Sequence, residues 1–205
     1  KGPPTSKQVR GMLREALREI SIFRSCYKKD QQAAEKIRRQ RCPLCGGPLH
    51  SAYYLRKPRG SPVEIPAEYR VRMSLCCSRD GCRHRVLPPS CLFMGRKVHW
   101  RIVILVVMAI RQRQSPRTTV EGIEELCEVP VRTVVRWSAF FRDEFPDSQA
   151  WKRLRGRVSA VVSSAALPGA LVESFLARHT EVAQALVDCL AFLAMGEQAQ
   201  EIHEK

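Results

Sequence analysis

Nine cysteines punctuate the chain, and the spacing of a few of them could do chemistry. Cys42-Pro-Leu-Cys45 is followed at once by Gly46 and Gly47, a C-x-x-C knuckle whose glycines permit the tight turn that aims two thiolates at one ion. A second cluster, Cys76, Cys77 and Cys82, follows about 30 residues later, and paired clusters at that separation predict a zinc site. Cys82 follows Gly81 in a turn. Cys77 continues the series Val71, Met73, Leu75 that alternation points inward, so it is preferred to Cys76; both remain open, with His84 as an outside candidate. The expected set is therefore Cys42, Cys45, Cys77 and Cys82 around Zn2+. Four sulfurs close a tetrahedral shell and leave no open position, which is structural rather than catalytic chemistry. An odd count and strong clustering argue against a secreted disulfide framework. Cys26, Cys91, Cys127 and Cys189 fall in helical patterns and read as small core residues.

A different chemistry is spelled between Thr118 and Phe145. Thr118 and Glu121 have the T-x-x-E form of a capping box, opening a helix to about Cys127 with Val120, Ile123 and Leu126 on its apolar face. A turn at 128–130 leads into Val131-Arg-Thr-Val-Val-Arg-Trp137. On that second helix Val134, Trp137, Phe141 and Phe145 form one stripe, while Arg132, Thr133 and Arg136 are expected to project elsewhere near its start. A bulky face that locks to a scaffold, with Arg and Thr free to meet base edges, is what a recognition helix needs. The plain alternative is a three-helix bundle with a solvated basic face. Arg113, Arg117, Lys152, Arg153 and Arg155, with Arg96, Lys97, Arg111 and Arg157, are expected to meet phosphates.

The order Cys42-Pro-Leu-Cys45-Gly, then Leu75-Cys-Cys with Cys82-Arg-His-Arg85, then Leu87-Pro-Pro-Ser90, resembles the amino-terminal zinc ribbon of bacterial insertion-sequence transposases. In that family a helix-turn-helix with an S-x-R-T-V-x-R-W-like stretch follows, and Pro130-Val-Arg-Thr-Val-Val-Arg-Trp137 is similar to it, with Pro130 in place of the capping serine. The likeness spans about residues 42 to 145 and implies double-stranded DNA binding by Arg132, Thr133 and Arg136. It departs afterwards. The transposases continue into an RNase H-like domain with acidic residues on strands, whereas the roughly 60 residues after Phe145 read as helical here. Asp147, Glu173, Glu181 and Asp188 lack the strand context that would gather them around two metals. No P-loop, G-x-S-x-G or H-E-x-x-H occurs, so no enzyme is expected.

The elements that must position these residues predict a mainly α chain with a small zinc-ribbon β-hairpin module and a helix-turn-helix helical domain. Four segments are expected: a basic amphipathic helical arm (1–40), the ribbon (41–90), the helix-turn-helix domain (91–146) and a helical tail for packing or assembly (147–205). In the arm, a helix over 6–25 capped by Thr5 or Ser6 carries Val9, Met12, Leu13, Ala16, Leu17, Ile20 and Phe23 on one stripe, and a second helix covers about 29–39. In the ribbon, Tyr69 to Leu75 alternates as a strand, with Ser51–Leu55 as its hairpin partner and Arg56–Pro66 as a loop. An apolar helix covers 95–112, and two tail helices cover 170–178 and 181–195.

Charge and length agree. The 205 residues carry a net charge of +15, concentrated before residue 161 at +19, while 161–205 holds two basic and six acidic side chains. Such an excess favours an anionic partner. Double-stranded DNA is the first choice; the alternatives are RNA, with Tyr53, Tyr54 and Tyr69 available to stack on bases, and a truncated transposase or a protein-interaction adaptor whose basic surface meets an acidic partner. The longest apolar run, Ile102 to Ile110, is far short of the roughly 20 residues that span a bilayer, so no membrane partner is expected and a cytoplasmic, nucleoid-associated protein is. Leu171, Phe175, Leu176, Val182, Leu186, Leu190 and Leu193 either complete the helical core or form a surface for a homodimer or protein partner.

Overall fold

A computed structural model describes residues 5–112, 127–158, 162–197 and, as backbone, 200–202. It is mainly helical, with a small antiparallel sheet. Helix α1 (Ser6–Ala16) starts with a reciprocal cap: Thr5 Oγ1 accepts from the Gln8 N–H at 3.3 Å and Gln8 Oε1 accepts from the Thr5 N–H at 2.8 Å. The expected single helix over 6–25 is corrected. Bonds from Arg18 N–H to the Glu15 carbonyl and from Glu19 N–H to the Ala16 carbonyl tighten the chain at 17–19, and α2 (Ile20–Gln40) then runs unbroken. No break falls near residue 27, because Ile22, Phe23, Cys26, Asp30 and Ala34 form one continuous buried stripe.

The segment 41–90, called the ribbon below for its position alone, contains β1 (Leu49–Ser51), β2 (Tyr54–Leu55), β3 (Val71–Arg72), β4 (Leu75–Cys77) and β5 (Arg85–Leu87). β1 pairs antiparallel with β4, placing Leu49 opposite Cys77, and β2 pairs with β3. Bonds from Ala52 N–H to Ser74 O (2.8 Å) and Arg56 N–H to Arg70 O (2.9 Å) stitch the two ladders into one hairpin, so Ser51–Leu55 does face the later strand. The uniform alternation expected over 69–75 does not hold. Tyr69 lies in a 3-10 turn, Ala67–Arg70, and Arg72 is buried rather than outward, donating to the Met73 and Pro88 carbonyls at 3.0 and 2.6 Å. Those carbonyls supply the polar partners its guanidinium needs away from water.

The tail also departs from expectation. After its helices it returns as β6 (Gln200–Ile202), which pairs antiparallel with β5 and completes a sheet of order β1-β4-β5-β6.

Helix α3 (Arg101–Gln112) starts six residues later than the expected position 95. Gly95 takes a left-handed φ of +53°, and the following residues bond to the β2–β3 loop through Arg59 N–H to Val98 O and Trp100 N–H to Arg59 O. From Arg101 to Ile110 every residue of α3 is buried, so it is the axis of the core. Helix α4 (Val131–Ala139) continues as a π-helical turn through Glu144, closed by Phe145 N–H to Phe140 O at 2.8 Å. The remaining α-helices among the described residues are α5 (Gln149–Leu154), α6 (Gly169–Leu176) and α7 (Val182–Gly196). Helices α2, α5 and α6 all pack on α7. At the α5 crossing, a Cβ on Gly196 would come within 2.5 Å of the Ala150 carbonyl oxygen, so only glycine permits this approach. The helix expected at Thr118–Cys127 lies outside the described residues except for Cys127, as do Arg113 and Arg117.

One apolar core runs from Val9 to Ala194 and joins α1, α2, α3, α4, α5, α6 and α7. Trp100 is central: it stacks on Phe93 at 5.5 Å and meets the edge of Phe23 at 5.1 Å. Leu171, Phe175, Leu186, Leu190 and Leu193 belong to this core, with Leu176 and Val182 at its margin. A much smaller cluster, Leu49, Leu75, Val86, Cys42 and Cys77, lies inside the ribbon.

Asp30 joins arm to ribbon. Almost wholly buried, its carboxylate accepts from Ser90 Oγ and the Cys91 N–H. Burial raises its pKa from 3.8 to about 6, although the Ser90 and Cys91 bonds pull the other way. The folded state therefore favours the protonated acid: this contribution is fully present below pH 3.8 and is lost as pH rises toward 6. A shift of that size corresponds to about 3 kcal/mol. Asp30→Asn should gain stability relative to the parent across that interval by up to about this amount, measured by denaturant unfolding at each pH. A stability difference that stays flat with pH would contradict this role.

Candidate metal centre and basic helix

The four cysteine positions converge from two turns. Cys42 and Cys45 flank the knuckle after α2, where the Cys42 N–H bonds to Gly47 O and the Gly46 N–H to Cys42 O, with Gly46 at φ +67°. Cys77 ends β4, and Cys82 leaves the following turn, whose Gly81 sits at φ +79°. The sulfurs of Cys42, Cys45, Cys77 and Cys82 all lie within 4.8 Å of one another. Cys42 and Cys82 Sγ are 3.7 Å apart, and Cys45 and Cys77 Sγ are 3.5 Å apart. Tetrahedral coordination with 2.3 Å metal–sulfur bonds requires a sulfur–sulfur separation of about 3.8 Å, whereas a disulfide requires about 2 Å. The group therefore fits a four-coordinate metal ion and is not two disulfides.

The backbone supports that fit. The N–H groups of Gly47, Arg79 and His84 each donate to the sulfur two residues earlier, Cys45, Cys77 and Cys82 respectively. Such bonds stabilise thiolates and fix their direction. The Gly47 N–H, with the neighbouring sulfurs, draws Cys45 down to about 7 against the effect of burial. At Cys82 the His84 N–H also pulls down, but proximity to Cys45 and burial outweigh it and push the thiol up to about 12. Crowded thiols that cannot all ionise together are the situation a divalent cation relieves. Cys76 stands apart. Opposite Arg85 in the β4–β5 ladder, it is half-buried and turns its sulfur to the Cys77 and Arg83 carbonyls. His84 is buried and contributes its carbonyl to the Cys77 N–H, outside the four-sulfur group. Cys26, Cys91, Cys127 and Cys189 are buried in the main core.

On α4 the expected stripe is in place. Val134, Trp137, Phe141 and Phe145 are buried, with Phe141 and Phe145 in edge contact at 5.4 Å. Trp137 meets the ring of His99 edge-on at 4.9 Å. Before the helix, Cys127 is helical, Glu128 takes φ +50°, and Pro130 accepts the first helical bonds from Thr133 and Val134. A left-handed residue after a helical one is how a helix is stopped and a short turn begun. Arg132, Val135 and Arg136 are exposed. Thr133 does not project freely as expected: it is buried, and its Oγ1 accepts from Arg136 Nη2 at 3.4 Å, bracing that arginine. Val135, half exposed beside Arg136, carries no polar group that would mark it in the sequence as a contact residue. Lys152, Arg153 and Arg155 are exposed on and just after α5, where Lys152 lies 4.0 Å from Asp147 and Arg153 donates to Gly196 O at 3.3 Å.

Fold and site thus define a mainly helical protein carrying a small antiparallel sheet and a cluster of four cysteines able to hold a metal ion. No protein family, curated protein or solved structure matches the chain. No described helix is long and apolar enough to cross a membrane.

Proposed function

We propose that the chain is a non-catalytic, sequence-specific DNA-binding protein of transposase or transcription-regulator type, in which α4 enters the major groove and the four cysteines hold structural zinc. The observation that carries this reading is the two-sided character of α4. Val134, Trp137 and Phe141 fix it to the core, while Arg132, Val135 and Arg136 face outward after a three-residue turn. Arginines at the first turns of a helix match guanine O6 and N7, and an exposed valine matches the thymine methyl. Thr133 serves as a brace for Arg136. The net charge of +15 supplies the sequence-independent attraction. Four soft sulfur donors at tetrahedral spacing favour zinc, and a closed shell makes it a staple for strands of two or three residues.

A single-stranded RNA partner is the second reading, favoured by the exposed rings of Tyr53 and Tyr54; Tyr69, buried against Tyr27, is not available to it. Competition in a gel-shift assay separates the two. Unlabelled mixed-sequence duplex should displace a labelled duplex at a concentration at least about tenfold below that of single-stranded RNA of equal length. The opposite order would favour the RNA reading.

A further inference from the structure

Beside the first turns of α4 lies a cleft of 450 Å³ whose walls come from three separate parts of the chain. Arg59 enters from the β2–β3 loop, Arg96 and Lys97 from the turn before α3, and Arg132 and Arg136 from α4. Against these five cationic side chains, the described residues that line the cleft include one carboxylate, Glu128. Among the described residues, none of the five forms a salt bridge. Lys97 lies over the Phe140 ring at 4.3 Å. His99 completes the lining. It is more than nine-tenths buried, yet among the described residues no hydrogen bond reaches its ring nitrogens, which leaves a donor for a ligand in the cleft.

Gathering like charges in a concave site is unfavourable unless an anion completes it. The local potential is visible in the neighbours. Burial first, then the charges of Arg59 and Arg136, lower the pKa of His99, and burial followed by Arg136 lowers that of Lys97 against the opposite pull of Glu144. The neutral imidazole of His99 together with Arg59, Arg96 and Lys97 suits a tetrahedral oxyanion, which leaves the exposed guanidinium groups of Arg132 and Arg136 for base edges.

We propose that this cleft is a phosphate-binding site, and that its phosphate is a backbone phosphodiester of the duplex lying along α4. The second half of the statement rests on the DNA-binding reading; the first does not. The site ties the ribbon to α4 by way of Arg59, so the loop of one and the helix of the other grip the same strand. Contacts of this kind fix register and orientation and carry no sequence information.

Arg59→Ala tests the site, because Arg59 is exposed and remote in sequence from α4. Affinity is measured across a salt series for two duplexes of different sequence, and binding of inorganic phosphate is followed by calorimetry. The variant should weaken both duplexes by a similar factor and make the log–log salt dependence shallower by about 0.9, the share of one phosphate, with Arg59→Lys restoring the slope. Its melting temperature should match the parent's. An unchanged slope alongside phosphate binding lost in the variant would overturn the backbone source and leave a site for free phosphate. An unchanged slope with unchanged phosphate binding would overturn the site altogether. If the parent protein binds no duplex, the DNA reading fails on its own and the calorimetric arm alone decides the cleft.

Discussion

Cys77→Ser is expected to abolish metal binding by the four-cysteine group, whereas Cys76→Ser, one residue away, should leave it able to bind one equivalent. The two cysteines are neighbours in β4, but successive strand residues face opposite ways. Cys77 lies opposite Leu49 within the four-sulfur group, and Cys76 bonds to carbonyls on the other side. The consequence should be large because little else holds this part together. Its strands are two or three residues long, and its own apolar cluster is small. Structural zinc contributes about 10 to 16 kcal/mol to folding in small zinc modules. Loss of one ligand should therefore lower metal content well below stoichiometric and open the ribbon to protease, while the helices around Trp100 keep their helical signal. Metal analysis and limited proteolysis of the two variants check this. Metal lost from Cys76→Ser but retained in Cys77→Ser would overturn the ligand assignment.

The second large effect concerns α4. Arg132→Ala combined with Arg136→Ala removes both exposed guanidinium groups of this helix while leaving its buried face intact. A bidentate arginine–guanine pair contributes about 1 to 3 kcal/mol of discrimination, so the double variant should lose roughly 30-fold or more in preference for a selected site. Surface replacements of this kind shift stability by only about 0.5 kcal/mol each, so the melting curve should scarcely move. Trp137→Ala gives the contrast. Its ring is buried against His99, and its truncation should cost about 3 to 5 kcal/mol and disorder the helix along with binding.

Much of this was legible from residue types alone. The knuckle at Cys42–Cys45 and the apolar stripe of α4 are local patterns, fixed by spacings of three and four residues. Cys77 could be favoured over Cys76 because strand alternation is also local. What escaped was non-local. β6 is three residues long, carries no periodicity, and pairs with a strand more than 100 residues earlier, so nothing in Gln200–Ile202 announces it. Arg72 reads as an outward residue until the Pro88 carbonyl that receives it is in place. The break at 17–19 involves no proline or glycine, so composition gave no sign of it. His99 and Arg59 matter only through a cleft assembled from three segments, which no single window of sequence contains.

Reading of duplex sequence by α4 is the central proposal. It is tested most directly by selecting bound molecules from a random duplex pool with the metal-loaded protein, in parallel with the Arg132→Ala, Arg136→Ala variant. The parent should enrich a defined motif, and the variant, equally folded, should retain only weak, sequence-indifferent binding. No enrichment by the parent, or the same motif recovered by the variant, would contradict it.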